Sequence, residues 1–210
     1  MPIATTTYEL PLFAGFPQVR GRPMATTFVD VLIEEHRGFK LMLSVLEAMA
    51  ARPPHRGEVA PRMMADVLDF FETFSDRHHV REEHALFPVL ARHGMSQDQT
   101  VVHALLAQHD TGRAYCRKLR AAQARLLEGD AAAADEFVSH ALGYCELIRE
   151  HIRIEDEYFY ELADQLLTDA EHQDVVTEFS TPARGPAAGA ERERFLRMLD
   201  DYPGIVAAWQ

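Results

Sequence analysis

The chain has 210 residues, 47% hydrophobic and 26% charged, proportions that suit a soluble globular domain with a sizeable core. Its formal net charge of −12 argues against nucleic acid and anionic membrane as partners, because phosphates call for a basic surface. No apolar run reaches the roughly 18 residues of a membrane span, and the N-terminus lacks the basic and apolar regions of a signal peptide, so a cytoplasmic location is expected. Cys116 and Cys145 are too few for a disulfide scaffold or a four-thiolate cluster and read as small buried hydrophobes.

Residues 1–25 contain Pro2, Pro11, Pro17 and Pro23 without sustained periodicity and read as an extended arm. A first helix is expected over 27–51, with Val29, Leu32, Ile33, Leu43 and Leu46 at helical spacing and Pro53 and Pro54 ending it. A second starts at Pro61, a favoured first-turn residue, and runs to His93 before Gly94. Pro88 lies inside it and must lose the hydrogen bond to the carbonyl of His84, which predicts a kink or an early end.

A third helix opens with Ser96 and Gln99 at capping-box spacing and stops before Gly129. The fourth takes Asp130 as its N-cap and runs to Leu167. Four long helices with short connections predict an all-α, up-down-up-down four-helix bundle over 26–167. Beyond it the pattern weakens. Residues 168–179 and 190–201 are expected to form short helices of a C-terminal extension, 168–210, that packs on the bundle or in a homodimer.

The strongest signal is an internal repeat. Residues 79–91 read HVREEHALFPVLA and residues 151–163 read HIRIEDEYFYELA, matching at an offset of 72. Each segment holds His-x-x-x-Glu, His79 with Glu83 and His151 with Glu155, which puts imidazole and carboxylate one turn apart on one helix face. That donor pair suits non-haem iron, manganese or zinc. His36 lies 43 residues before His79, and His109 lies 42 before His151, each on the apolar stripe of its own helix. His36 and His79 stand roughly 22 and 27 Å from their shared turn at 1.5 Å per residue, so the four histidines fall at similar heights in an antiparallel bundle.

The segment HHVREEH also contains His78 and Glu82 in the next register. Aligning Arg81 and Phe87 with Arg153 and Phe159 selects His79 and Glu83 as the inward pair and leaves His78, Glu82 and His84 off the inward line. A lone histidine on an apolar face is usually a hydrogen-bonded core residue. Two inward glutamates are harder to explain without a cation, since an unpaired buried carboxylate must be protonated or pay a desolvation penalty of several kcal/mol. The inward stripes carry no Lys or Arg to pair with them. His140, eleven residues before His151, is expected in the core or in a channel above the site. The strings Glu-x-x-His of ferritin-like sites and His-Glu-x-x-His of zinc proteases do not occur.

The order His36, His79-Val-Arg-Glu-Glu83 with Leu86-Phe87-Pro88, His109 and His151-Ile-Arg-Ile-Glu155 resembles the hemerythrin-like family of histidine–glutamate cation-binding domains over residues 26–167. The resemblance implies a non-haem di-iron centre with an oxo or hydroxo bridge. In that reading Glu83 and Glu155 bridge the irons, His36, His79, His109 and His151 are terminal ligands, and manganese or zinc are substitutes.

The oxygen-carrying members instead use His-x-x-x-His on the third helix and His-x-x-x-x-Asp on the fourth, whereas Leu105 and Arg113 flank His109 here. The pattern is closer to bacterial proteins for repair of iron centres, though without their N-terminal cysteine, and to the eukaryotic iron-sensing domain. The implied role is to react with or sense O2, NO or peroxide, or to handle iron under stress. The alternative is an iron- or oxygen-responsive regulatory module without catalysis. A set of four imidazoles predicts rapid air oxidation of the reduced centre rather than a stable oxygen adduct.

Overall fold

Thr27 starts the first helix: its hydroxyl accepts from the Asp30 N–H, and the Asp30 carboxylate accepts from the Thr27 N–H, closing a capping box. In this computed structural model, residues 27–52, 59–95, 98, 100–180 and 186–209 are described. Helix α1 is Phe28–Ala50. Helix α2 covers 61–92 with Pro61 in its first turn, as three α-helical stretches joined by π turns at Phe71–Ser75 and Glu82–Leu86. Gly94, at φ 87°, ends it in the left-handed conformation that glycine adopts without strain.

Helix α3 is Val101–Leu127, capped by the Thr100 hydroxyl, which accepts from the Val102 N–H; the expected cap at Ser96 and Gln99 lies outside the described residues. Gly129, at φ 90°, makes the next turn. Asp130 there accepts from the Ala132 N–H at 3.0 Å, just ahead of helix α4, which covers 133–166 with a π turn at Glu155–Phe159.

Pro88 does not end α2, which continues to Arg92. It falls at the start of the α-helical stretch Phe87–Arg92, directly after a π turn in which the Phe87 N–H bonds the Glu82 carbonyl five residues back. The widened turn absorbs the missing donor.

Helices α1 to α4 form the bundle, α1 against α2 and α4, and α3 against α2 and α4. Two further helices follow, α5 at Asp169–Ser180 and α6 at Pro186–Ala207, the latter longer than its sequence pattern suggests. Both pack on α1. Phe195 of α6 meets Phe70 edge to face, and Tyr202 donates to Asp66 at 2.7 Å. Arg81 of α2 reaches the Phe179 carbonyl of α5 at 2.8 Å. Among the described residues there is no strand, and no helix is long and apolar enough to cross a membrane.

The apolar core is split in two. One cluster contains Phe39, Met42, Phe70, Phe74, Leu119 and Ile148. The other contains Phe28, Leu32, Leu86, Leu105 and Phe159. Along each helix of the bundle the buried histidines and glutamates fall where one cluster gives way to the other: His36 between Leu32 and Phe39, His78 to Glu82 between Phe74 and Leu86, His109 between Leu105 and Cys116, and Glu155 between Ile152 and Phe159.

Candidate metal centre

That layer holds His36, His78, His79, Glu82, His109, His151 and Glu155, all buried. The π turns on α2 and α4 begin on Glu82 and on Glu155, so the carboxylates enter the core where each helix is locally widened. On one side His36 Nε2 lies 3.1 Å from His78 Nε2 and 3.4 Å from Glu155 Oε2. On the other, His109 Nε2 lies 3.5 Å from Glu82 Oε2, and His151 Nε2 lies 3.1 Å from Glu155 Oε1. Glu82 Oε2 is also 3.7 Å from His78 Nε2, so each carboxylate faces both histidine pairs. Donor atoms sharing one cation through bonds of about 2.1 Å at right angles stand about 3 Å apart, the scale of this cluster.

Every imidazole of these two pairs is held from behind. His36 Nδ1 donates to Asp156 at 2.7 Å, His78 Nδ1 to Glu35 at 2.8 Å, His109 Nδ1 to Glu83 at 2.8 Å and His151 Nδ1 to Gln108 at 2.9 Å. With the proton committed to Nδ1, each Nε2 presents a lone pair to the centre, the tautomer that a metal-ligating histidine needs. Lone pairs converging in a dry core repel unless a cation lies among them. Glu82 Oε2, His109 Nε2, His151 Nε2 and both oxygens of Glu155 are buried without a hydrogen-bond partner, which fits a donor set built for metal. Within the described residues, histidine and carboxylate donors gather as His79–His109–His151, Glu82–His109–His151–Glu155 and His36–His78–Glu155.

The electrostatics agree. Burial and the adjacent Glu155 push the Glu82 carboxyl well above the usual carboxylate range. Burial acts in the same direction on Glu155, but His151, His36 and His78 outweigh it. Burial pulls His78 down to about 4 against the opposing pull of Glu35. Burial and the neighbouring His109 and His151 carry His79 well below its ordinary value. Imidazoles held below their ordinary range beside a carboxyl held above its own mark a site short of positive charge.

Of the residues singled out in the sequence, the structure brings together His36, His79, His109, His151 and Glu155. It does not add Glu83 to the central cluster. Glu83 turns to the edge, where it accepts from His109 Nδ1 and from Arg113 at 2.8 Å each. Its place in the centre is taken by Glu82, and His78 joins from the same turn, so the expectation that these two lie off the inward line is corrected. Adjacent residues can both be buried because α2 has a neighbour on either side: His78 faces His36 of α1, and His79 stacks on His109 of α3 at 4.1 Å. His84 is exposed, and His140 sits apart, half-buried beside Tyr115.

The missed signal is a spacing of 73 instead of 72. His36 and His109, His78 and His151, and Glu82 and Glu155 are each 73 apart. The supporting residues follow the same rule: Glu35 with Gln108, Glu83 with Asp156, and Lys40, which bonds Asp156, with Arg113, which bonds Glu83. The identities at 72 are not equivalent in space. Arg81 pairs with buried Glu35, whereas Arg153 pairs with Glu150 and Glu157 on the surface.

Compared with known proteins, residues 27–163 match the family described as the hemerythrin HHE cation binding domain. No curated protein and no solved structure matches the chain.

Proposed function

The chain belongs to the hemerythrin HHE cation-binding family, and from that premise we propose that its buried centre takes two iron ions. His36 and His78 would hold one, His109 and His151 with His79 beside them the other, and Glu82 and Glu155 would lie between. The observation that carries this reading is the set of buried, unpartnered atoms on Glu82, His109, His151 and Glu155, which a cation would satisfy together. Iron bound there would supply electrons and open coordination positions for O2, NO or peroxide, consistent with a protein that reacts with or senses these molecules, or handles iron, under stress.

The protein's own groups prepare that chemistry. The Tyr160 hydroxyl donates to Glu82 Oε1 at 2.7 Å and holds its orientation. Asp156, Glu35, Glu83 and Gln108 keep each imidazole in one tautomer and one rotamer. The two apolar clusters above and below shield the layer along the bundle axis. His78 adds a fifth imidazole to the four singled out in the sequence.

The test is anaerobic reconstitution with ferrous iron followed by metal analysis. About two irons per folded chain are expected; a single zinc with no iron uptake would overturn the reading. Titration with NO and peroxide, followed spectroscopically, then separates reactant from bystander.

A regulatory reading rests on a separate observation. His78 donates to Glu35, Glu35 accepts both bonds from Arg81 at 2.7 Å, and Arg81 holds the Phe179 carbonyl and ring of α5. In that reading removing metal loosens α5. Unchanged hydrogen exchange over 169–180 after confirmed chelation would dismiss it.

A further inference from the structure

The two halves of the site are not equally closed. A cleft of about 270 Å³ lies between the stretch of α2 carrying Ser75 and Asp76 and the stretch of α3 carrying Gly112, Arg113 and Cys116, and His79 is part of its lining. His79 is only 5% exposed, and no hydrogen bond to its ring occurs among the described residues, unlike the four other imidazoles of the layer. It is the one member of the central cluster that lines the cleft. In the other half, the position 73 residues on is Ile152, packed into the apolar core.

The chemistry of the lining narrows what can enter. Glu72 and Asp76 balance Arg113 and Arg117, so the cleft carries no net charge to attract or retain an ion. Arg113 is already committed to Asp76 at 2.6 Å and to Glu83 at 2.8 Å. Deeper in, Tyr144, Phe71 and Cys116 are apolar bodies with few polar tips.

We propose that this cleft is the route by which small uncharged molecules, such as dioxygen, nitric oxide or hydrogen peroxide, reach the His109–His151 half of the site, with His79 as their first contact. The destination rests on the two-cation reading above; the cleft and its accessibility do not.

The cleft contains its own reporter. Burial pushes the thiols of both Cys116 and Cys145 up to about 12, so neither is an activated thiolate, and the change at each on closing the cleft reads the route to it. Cys116 lines the cleft, whereas Cys145 lies away from it with its thiol on the Leu43 carbonyl. Two variants close the cleft. Gly112 is part of the lining, and a side chain there starts 3.4 Å from Ile148 and 3.8 Å from Tyr144, so Gly112→Phe adds bulk at the inner end of the cleft. Arg117→Trp covers the exposed rim without touching the core.

In metal-free protein, methyl methanethiosulfonate should modify Cys116 about tenfold faster than Cys145, an advantage lost in either variant. In the iron-loaded, reduced protein, stopped-flow association of NO should slow about tenfold in either variant at unchanged iron content. Equal rates at the two cysteines in the unaltered protein, or NO association indifferent to Arg117→Trp, would overturn the proposal. Failure to load iron would defeat the two-cation reading while leaving the cysteine comparison to judge the cleft.

Discussion

His36 and His78 face each other across Glu155 with the Tyr160 hydroxyl close by, and both are backed by carboxylates, Asp156 and Glu35. In the other half, His109 and His151 are backed by Glu83 and by the neutral Gln108, and His79 stacks on His109 at 4.1 Å. One backbone plan, repeated at 73 residues, thus carries two different environments. The differences sit at paired positions: Glu35 against Gln108, Tyr160 against Phe87, and Ile152 against His79. On the proposed two-cation reading, the shared residues would let each half hold a cation, and the unshared ones would set how tightly each holds it and what reaches it. An anionic acceptor behind an imidazole makes it a stronger donor than an amide does, whereas an extra neutral imidazole beside a cleft favours exchange.

The largest effects should come from the residues that both halves share. Glu82→Ala or Glu155→Ala should abolish loading of both cations and remove the metal-dependent stabilisation, which reaches about 4 kcal/mol at a thousandfold excess over Kd. Glu83→Ala should retain metal, weakened through His109 alone. Metal analysis of the three variants decides it, and loss in Glu83→Ala with retention in Glu82→Ala would restore the 72-residue register.

One step smaller, His36→Ala and His109→Ala should each leave about one cation per chain, because the surviving half keeps its own imidazoles and the facing carboxylates. Complete loss in both variants would mean that the halves load only together.

Exchanging the backing groups sharpens the comparison further. Glu35→Gln should weaken binding in the His36 half by about 10–100-fold, the usual effect of an outer partner, while Gln108→Glu should strengthen the His151 side. Competition with a chelator reads both affinities. Equal response in the two directions is the expected sign of a pseudo-symmetric site.

The smallest effect concerns Tyr160. Tyr160→Phe removes the donor to Glu82 and should cost the metal-free protein about 1 kcal/mol in urea unfolding. Phe87→Tyr, at the paired position, should gain nothing comparable, since Phe87 lies against the His109 ring and the Phe159 ring.

The helices were legible from local signals because those signals are local in origin. Pro61, Gly94 and Gly129 mark ends through backbone geometry that does not depend on partners. The lone histidines His36 and His109 were legible because each interrupts an apolar stripe. The third helix starts at Val101 behind the Thr100 cap, a few residues later than its sequence pattern suggests. The register of the second histidine segment was not legible in the same way. HHVREEH offers two His-x-x-x-Glu pairs, and residue identities such as Arg81 with Arg153 favoured the wrong offset although those arginines do unrelated things.

Periodicity and donor chemistry in the sequence determined an all-helical bundle, a histidine and carboxylate layer at one height, and the membership of His36, His79, His109, His151 and Glu155 in it. Only the tertiary structure decided that Glu82 and not Glu83 enters the core, that His78 and His79 face different neighbours, and that the backing groups differ between halves. The physical reason is that a helix pattern specifies a face to within about 100° per residue. Choosing between adjacent residues depends on the helices packed on either side and on where a π turn shifts the phase, and only that packing shows which of the two spacings, 72 or 73, is the structural one.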